Sequence, residues 1–190
     1  MERWRTNLYT LWVTQIISLT SFGLGLPFLP FYIQELGVVD PAKTHLFTGL
    51  LSAMPAITMG LMAPVWGRLA DRFGRKLMIL RAMLFAVVII GSMGLVSNAW
   101  QLLMLRACQG LLTGTVTAAT TFVAANTPKQ KLSYALGFMS SSTFIGYSIG
   151  PFIGGMFAEV YGYRLSFFVG SALMVVGFLK VLFLLIEDKL

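Results

Sequence analysis

Six long apolar stretches occupy most of this chain of 190 residues, at 8–33, 46–66, 77–96, 100–125, 132–157 and 165–186. Each is about 20 residues or longer, and at ~1.5 Å per helical residue each spans a hydrocarbon core of roughly 30 Å. No water is available in such a core to satisfy a backbone N–H or C=O, so each stretch must close its own hydrogen bonds as a helix. The expected fold is an all-α integral membrane protein, with six transmembrane helices forming one bundle over residues 1–190. A composition of 57% hydrophobic and 11% charged residues excludes a water-soluble domain of ordinary make-up. The first stretch is too long for the apolar region of a signal peptide and no small-x-small site follows it, so it is expected to be retained.

The bases behind the net charge of +7 cluster in short connections, which is how membrane orientation is written rather than how nucleic acid is bound. With the N-terminus inside, Arg3, Arg5, Arg68, Arg72, Arg75, Lys76, Arg81, Lys129, Lys131 and Lys189 fall on the cytoplasmic side, and only Lys43 and Arg164 outside. Both termini are therefore expected to be cytoplasmic. Trp4, Trp12, Trp66 and Trp100 lie near stretch ends, where indole rings favour the headgroup level. Cys108 is the single cysteine, so no disulfide or thiolate metal site forms within the chain. No nucleophile–base pair, metal-ligand cluster or phosphate loop is present, so the sequence supports neither an enzyme, a cofactor nor an ATP-driven pump.

Two turns share a skeleton. "GRLADRFGRK" (67–76) and "GMFAEVYGYR" (155–164) each read Gly, two residues, Ala, an acid, one residue, an aromatic, Gly, one residue, a base. They stand 88 positions apart with three stretches between them, which puts them on opposite membrane faces. The chain thus reads as a 3+3 inverted repeat with a tight helix-to-helix reversal in each half, densely basic only where the positive-inside bias allows.

Two stretches carry periodic signals. On the fourth, Arg106, Gln109, Thr113, Thr117 and Thr121 recur at helical spacing as a polar stripe, which in lipid must face protein or water. Arg106 costs on the order of 2.5 to 3.5 kcal/mol near a helix centre, so it needs a buried partner or a wet cavity unless its head snorkels outward. On the fifth, Gly146, Gly150 and Gly154 repeat as small-xxx-small beside Pro151, a face made for close helix approach within the bundle or with another body. No Asp or Glu lies deep in any stretch, so a deep proton-carrying carboxylate would belong to a second half.

These motifs carry a family resemblance. "GRLADRFGRK", through Gly67, Asp71, Arg72, Gly74, Arg75 and Lys76, resembles the cytoplasmic signature of the major facilitator superfamily. "RACQGLLTG" is similar to its fourth-helix signature through Arg106, Gln109 and Gly110. "GFMSSSTFIGYSIGPFIGG" places Gly137, Gly146, Gly150, Pro151, Gly154 and Gly155 as in the fifth-helix antiporter motif of drug:proton antiporters, and "GLGLPFLPFY" resembles their first-helix element through Pro27 and Pro30.

The resemblance runs over essentially the whole chain but reaches only the N-terminal half of bacterial twelve-helix multidrug exporters. It implies proton-coupled efflux of small amphipathic drugs by alternating access, in the plasma (inner) membrane among its lipids. Arg106, Gln109, Thr113 and Thr117 are then expected at the coupling and cavity region, Asp71 in a cytoplasmic latch, and the glycine face against a second six-helix half. Phe22 and Met54 are candidates to line a drug pocket. A metabolite or sugar-phosphate carrier of the same superfamily, or a half-length non-transporting partner, are the alternatives.

Overall fold

The computed structural model describes residues 2–186, so Lys189 lies outside the described residues. The described part is built from helices and short turns: α1 (Arg3–Gly23), α2 (Leu29–Glu35), α3 (Pro41–Phe73), α4 (Arg75–Met93), α5 (Ala99–Leu112), α6 (Thr115–Asn126), α7 (Leu132–Tyr161) and α8 (Tyr163–Leu184). Asp40 caps α3 through the Ala42 N–H, and Asn98 caps α5 through the Gln101 N–H, each taking up a donor that the first helical turn leaves unpaired. Arg3–Glu35, Pro41–Phe73, Arg75–Met93, Ala99–Asn126 and Tyr163–Leu184 are long and apolar enough to cross a membrane. α7 has the length, at 30 residues, while its serines, glycines and tyrosines dilute its hydropathy.

Two of the six apolar stretches are not single helices. The first breaks after Gly23, passes through a 3-10 turn at Leu26–Phe28 that contains Pro27, and resumes as α2 with Pro30 in its first turn. The fourth breaks at Thr113 and Gly114, where Gly114 takes φ 108°, a conformation glycine adopts at no steric cost. The same 88-residue interval that separates the echoed turns separates Gly25 from Thr113.

The expected reversals are also tighter than the motifs suggest. Gly67 and the residues up to Phe73 remain inside α3, and Gly74 alone links α3 to α4. At the opposite end Gly162 alone links α7 to α8. Gly74 has φ 91° and ψ 149°, Gly162 φ 81° and ψ 164°, a region open essentially to glycine alone. Each glycine N–H closes the preceding helix on an alanine carbonyl, Ala70 at 3.1 Å and Ala158 at 3.0 Å.

Helix pairing follows a regular scheme. α1 lies on α7 and α8, α3 on α5, α4 on α8, and α6 on α1 and α4. Exchange the α1–α2 span with the α5–α6 span, α3 with α7, and α4 with α8, and the set of principal pairings is unchanged. The core between them is filled by Leu11, Tyr32, Leu51, Ile79, Met83, Leu102, Phe122, Met139 and Met174. α3 is the outlier, with only Thr44 and Leu51 buried along 33 residues.

Candidate functional site

The site begins at a proline. Pro55 sits inside α3 and has no N–H to give the carbonyl four residues back, so the Leu51 oxygen is released from the helical ladder. Arg106 Nε donates to that oxygen at 2.9 Å, and Arg106 Nη1 donates to Gln109 Oε1 at 2.8 Å. Arg106 is only 5% exposed and Leu51 is fully buried. The guanidinium therefore does not snorkel; it is held across the α3–α5 contact by two neutral oxygens. Among the described residues its hydrogen-bond partners include no carboxylate.

Gly110 makes this reach possible. An ideal Cβ built there would lie 2.8 Å from the Pro55 carbonyl carbon, so only glycine lets the α5 backbone rest on the proline kink. One turn further, Thr113 Oγ1 donates to Gln109 O at 2.6 Å, and the helix stops. Trp66 Nε1 then donates to the Leu111 carbonyl at 2.7 Å, satisfying an acceptor that the break frees within the apolar region.

The break divides the expected polar stripe. Arg106, Gln109 and Thr113 are buried, whereas Thr117 and Thr121 are exposed. Thr113, Thr117 and Thr121 line a cavity of about 320 Å³ between α3, α4 and α6, which Arg106 and Gln109 do not line. Trp66, Asp71, Arg75 and Arg81 complete the polar part of that lining. The Arg81 guanidinium stacks 3.3 Å from the Trp66 ring centroid, and its Nε and Nη1 are buried without a hydrogen-bond partner. Arg81 and Trp66 are thus part of the cavity wall, a pairing that spacing alone does not announce.

The signature around Gly74 forms one end of the bundle. Asp71, with its side chain 77% exposed, is 4.0 Å from Arg75, and Arg72 lies over the Phe73 ring. Lys76 Nζ donates to the Leu182 carbonyl at 3.1 Å and the Leu185 carbonyl at 2.6 Å, capping the end of α8. Arg164 does the converse at the other end, donating to Val96 O at 3.0 Å and Gly94 O at 3.5 Å just past α4. Each base sits where a helix C-terminus concentrates unpaired carbonyls.

The glycine face of α7 requires a correction. It is expected against a second half, but the structure covers it with α1. An ideal Cβ on Gly146 would lie 2.6 Å from Leu19 Cβ, and one on Gly150 would lie 2.7 Å from Gly23 Cα; Gly154 abuts the Leu24 carbonyl. α1 brings its own glycine to the crossing, and the two backbones touch there. Trp12 Nε1 to Ser141 and Gln15 Nε2 to Thr143, both at 2.9 Å, hold the same pair together. Pro151 packs on Gly23, the nearest heavy atom to Gly155's missing Cβ is in the Phe28 ring at 3.4 Å, and Gly137 faces open space.

Broken helices of membrane-crossing length, a buried arginine socket and a basic signature turn together define a polytopic helical membrane protein. Residues 11–189 match the Major Facilitator Superfamily, and the chain belongs to that family. It is 40% identical over 185 residues to a multidrug resistance protein, MdtG, of Proteus mirabilis, covering 97% of this chain and 46% of that protein. It is 38% identical over 185 residues to a multi-drug resistance efflux pump PmrA homolog of Lactococcus lactis, covering 97% of this chain and 45% of that protein. MdtG of an Escherichia coli strain is 37% identical over 184 residues, again covering 97% of this chain and 45% of that protein. The chain spans a little under half the length of these curated relatives.

Proposed function

We propose that this chain is the N-terminal six-helix half of a proton-coupled exporter of amphipathic drugs that works by alternating access, with a second six-helix half closing the cavity. The observation that carries the reading is Arg106, a guanidinium held by two neutral oxygens in the interior of the bundle. A cation kept this way stays in the interior of the bundle, available to a proton-carrying carboxylate on the facing half. The names of the relatives, multidrug resistance protein and efflux pump, support the drug substrate. The uncovered length of α3 supports a partner surface there.

The inverted repeat is supported by the exchange symmetry of the helix pairings, the equivalent breaks, and the two matching glycine turns. The bases near Gly74 support a cytoplasmic position for that end and, with it, the reading that both termini lie in the cytoplasm; the bacterial relatives support the plasma membrane as the protein's location. The test uses the complete exporter in vesicles under an imposed pH gradient. Arg106→Ala is expected to insert normally and to lower dye efflux by about tenfold or more, a loss of transition-state stabilisation of at least ~1.4 kcal/mol. Undiminished gradient-driven efflux removes the coupling role.

A further inference from the structure

The geometry points to Pro55 as a positioning residue: by withholding a backbone N–H it reserves the Leu51 carbonyl for Arg106, and so fixes the guanidinium on which the proposed coupling rests. In a regular helix the residue-55 N–H would donate to Leu51 O. Pro55 removes that donor, and Arg106 Nε occupies the acceptor at 2.9 Å. Both groups are buried, Leu51 completely and Arg106 to 5% exposure, so neither has water as an alternative partner. A carbonyl left bare here, or a guanidinium left without an acceptor, carries the full desolvation penalty. The proline and the arginine therefore solve one another's problem.

Gly110 shows that the match is built from both sides. It follows Arg106 by one helical turn and lies directly on the Pro55 peptide, where an ideal Cβ would sit 2.8 Å from the carbonyl carbon. Gln109, between them, supplies the second acceptor at 2.8 Å. The socket is thus one carbonyl from α3 and one amide from α5, with the two backbones in contact beneath it. It makes Arg106 depend on what stands at residue 55: a residue with an N–H there returns Leu51 O to the ladder and releases the guanidinium.

The test compares Pro55→Ala, Arg106→Ala and the double variant in the full-length exporter. A second replacement at residue 55 by the α-hydroxy acid analogue of alanine, incorporated by nonsense suppression, supplies neither ring nor N–H. Pro55→Ala is expected to lower pH-driven efflux about tenfold, the double variant no further than Arg106→Ala, and the hydroxy acid to restore most of the loss. Drug binding should stay within about twofold in all of them. Independently of transport, exchange of the Arg106 Nε–H, followed by nitrogen-15 NMR in nanodiscs, should quicken about tenfold in Pro55→Ala and return with the hydroxy acid. Equal Nε–H protection in Pro55→Ala, or no rescue of it by the hydroxy acid, overturns the positioning role. Normal efflux in Arg106→Ala overturns only the coupling reading, because the exchange comparison still decides what Pro55 does.

Discussion

The turn at Gly74 and the turn at Gly162 are built alike and charged differently. Both pivot on a single glycine in the same backbone region, both close the preceding helix on an alanine carbonyl, and both place a base on the end of the partner helix, Lys76 of α4 on α8 and Arg164 of α8 on α4. The turn at Gly74 adds Arg68, Arg72 and Arg75, and brings Asp71 to the rim of a cavity; the acid that corresponds to Asp71 in the other turn, Glu159, is exposed and lines no part of that cavity. What the turns share is therefore what a helix reversal needs. What only one of them has belongs to orientation and to the proposed transport cycle.

Three pairs of substitutions test that division. Gly74→Ala and Gly162→Ala should have the largest effect, each costing about 1–3 kcal/mol because an alanine there is held in a glycine-only conformation. At Gly162 an added Cβ meets nothing within 4 Å, so the loss is purely backbone strain. Thermal unfolding of the purified protein in detergent measures both, and a tolerated alanine at either turn ends the equivalence. Next come Lys76→Met and Arg164→Met, each expected to cost about 1–2 kcal/mol as charge-assisted caps are lost. Lys76 should cost more, since its contact at 2.6 Å is shorter than either made by Arg164.

The smallest stability change, below about 0.5 kcal/mol, is expected for Asp71→Asn and Glu159→Gln, both at exposed positions. Here the readout that matters is transport. Asp71→Asn should slow efflux in vesicles while Glu159→Gln leaves it unchanged, and equal rates for the two variants would reduce Asp71 to a solvated counter-charge.

The echoed turns are legible in the sequence because a glycine-only conformation and a helix-capping base leave fixed residues at fixed spacing. Helix partners are not written so plainly. The spacing of Gly146, Gly150 and Gly154 says that some backbone comes close, but that it is α1, through Gly23 and Leu24, depends on which helices the whole bundle brings together. The polar stripe from Arg106 to Thr121 assumes a continuous helix, and Gly114 at φ 108° ends that continuity. The arginine socket is not read from the sequence; the signal that could have found it is Pro55, since an interior proline strands a carbonyl one turn earlier. Which donor collects it is a matter of tertiary contact, carried by Gly110 on a helix 55 residues away in sequence from Leu51 to Arg106.

The reciprocal caps also make α4 and α8 a gauge of bilayer thickness. α4 has 19 residues, about 28 Å of helix, and Lys76 and Arg164 stand at its two ends, the ammonium fixed to carbonyls at the end of α8 and the guanidinium to carbonyls just past α4. Neither helix can slide along the other to suit a different membrane without breaking one of these contacts. Lipids with longer acyl chains must thin locally around the pair or draw a basic head below the phosphates, at fractions of a kcal/mol for each Å of mismatch. Acyl-chain length thereby acts on α4 and α8 as one body, and is felt first where Lys76 and Arg164 meet the headgroups.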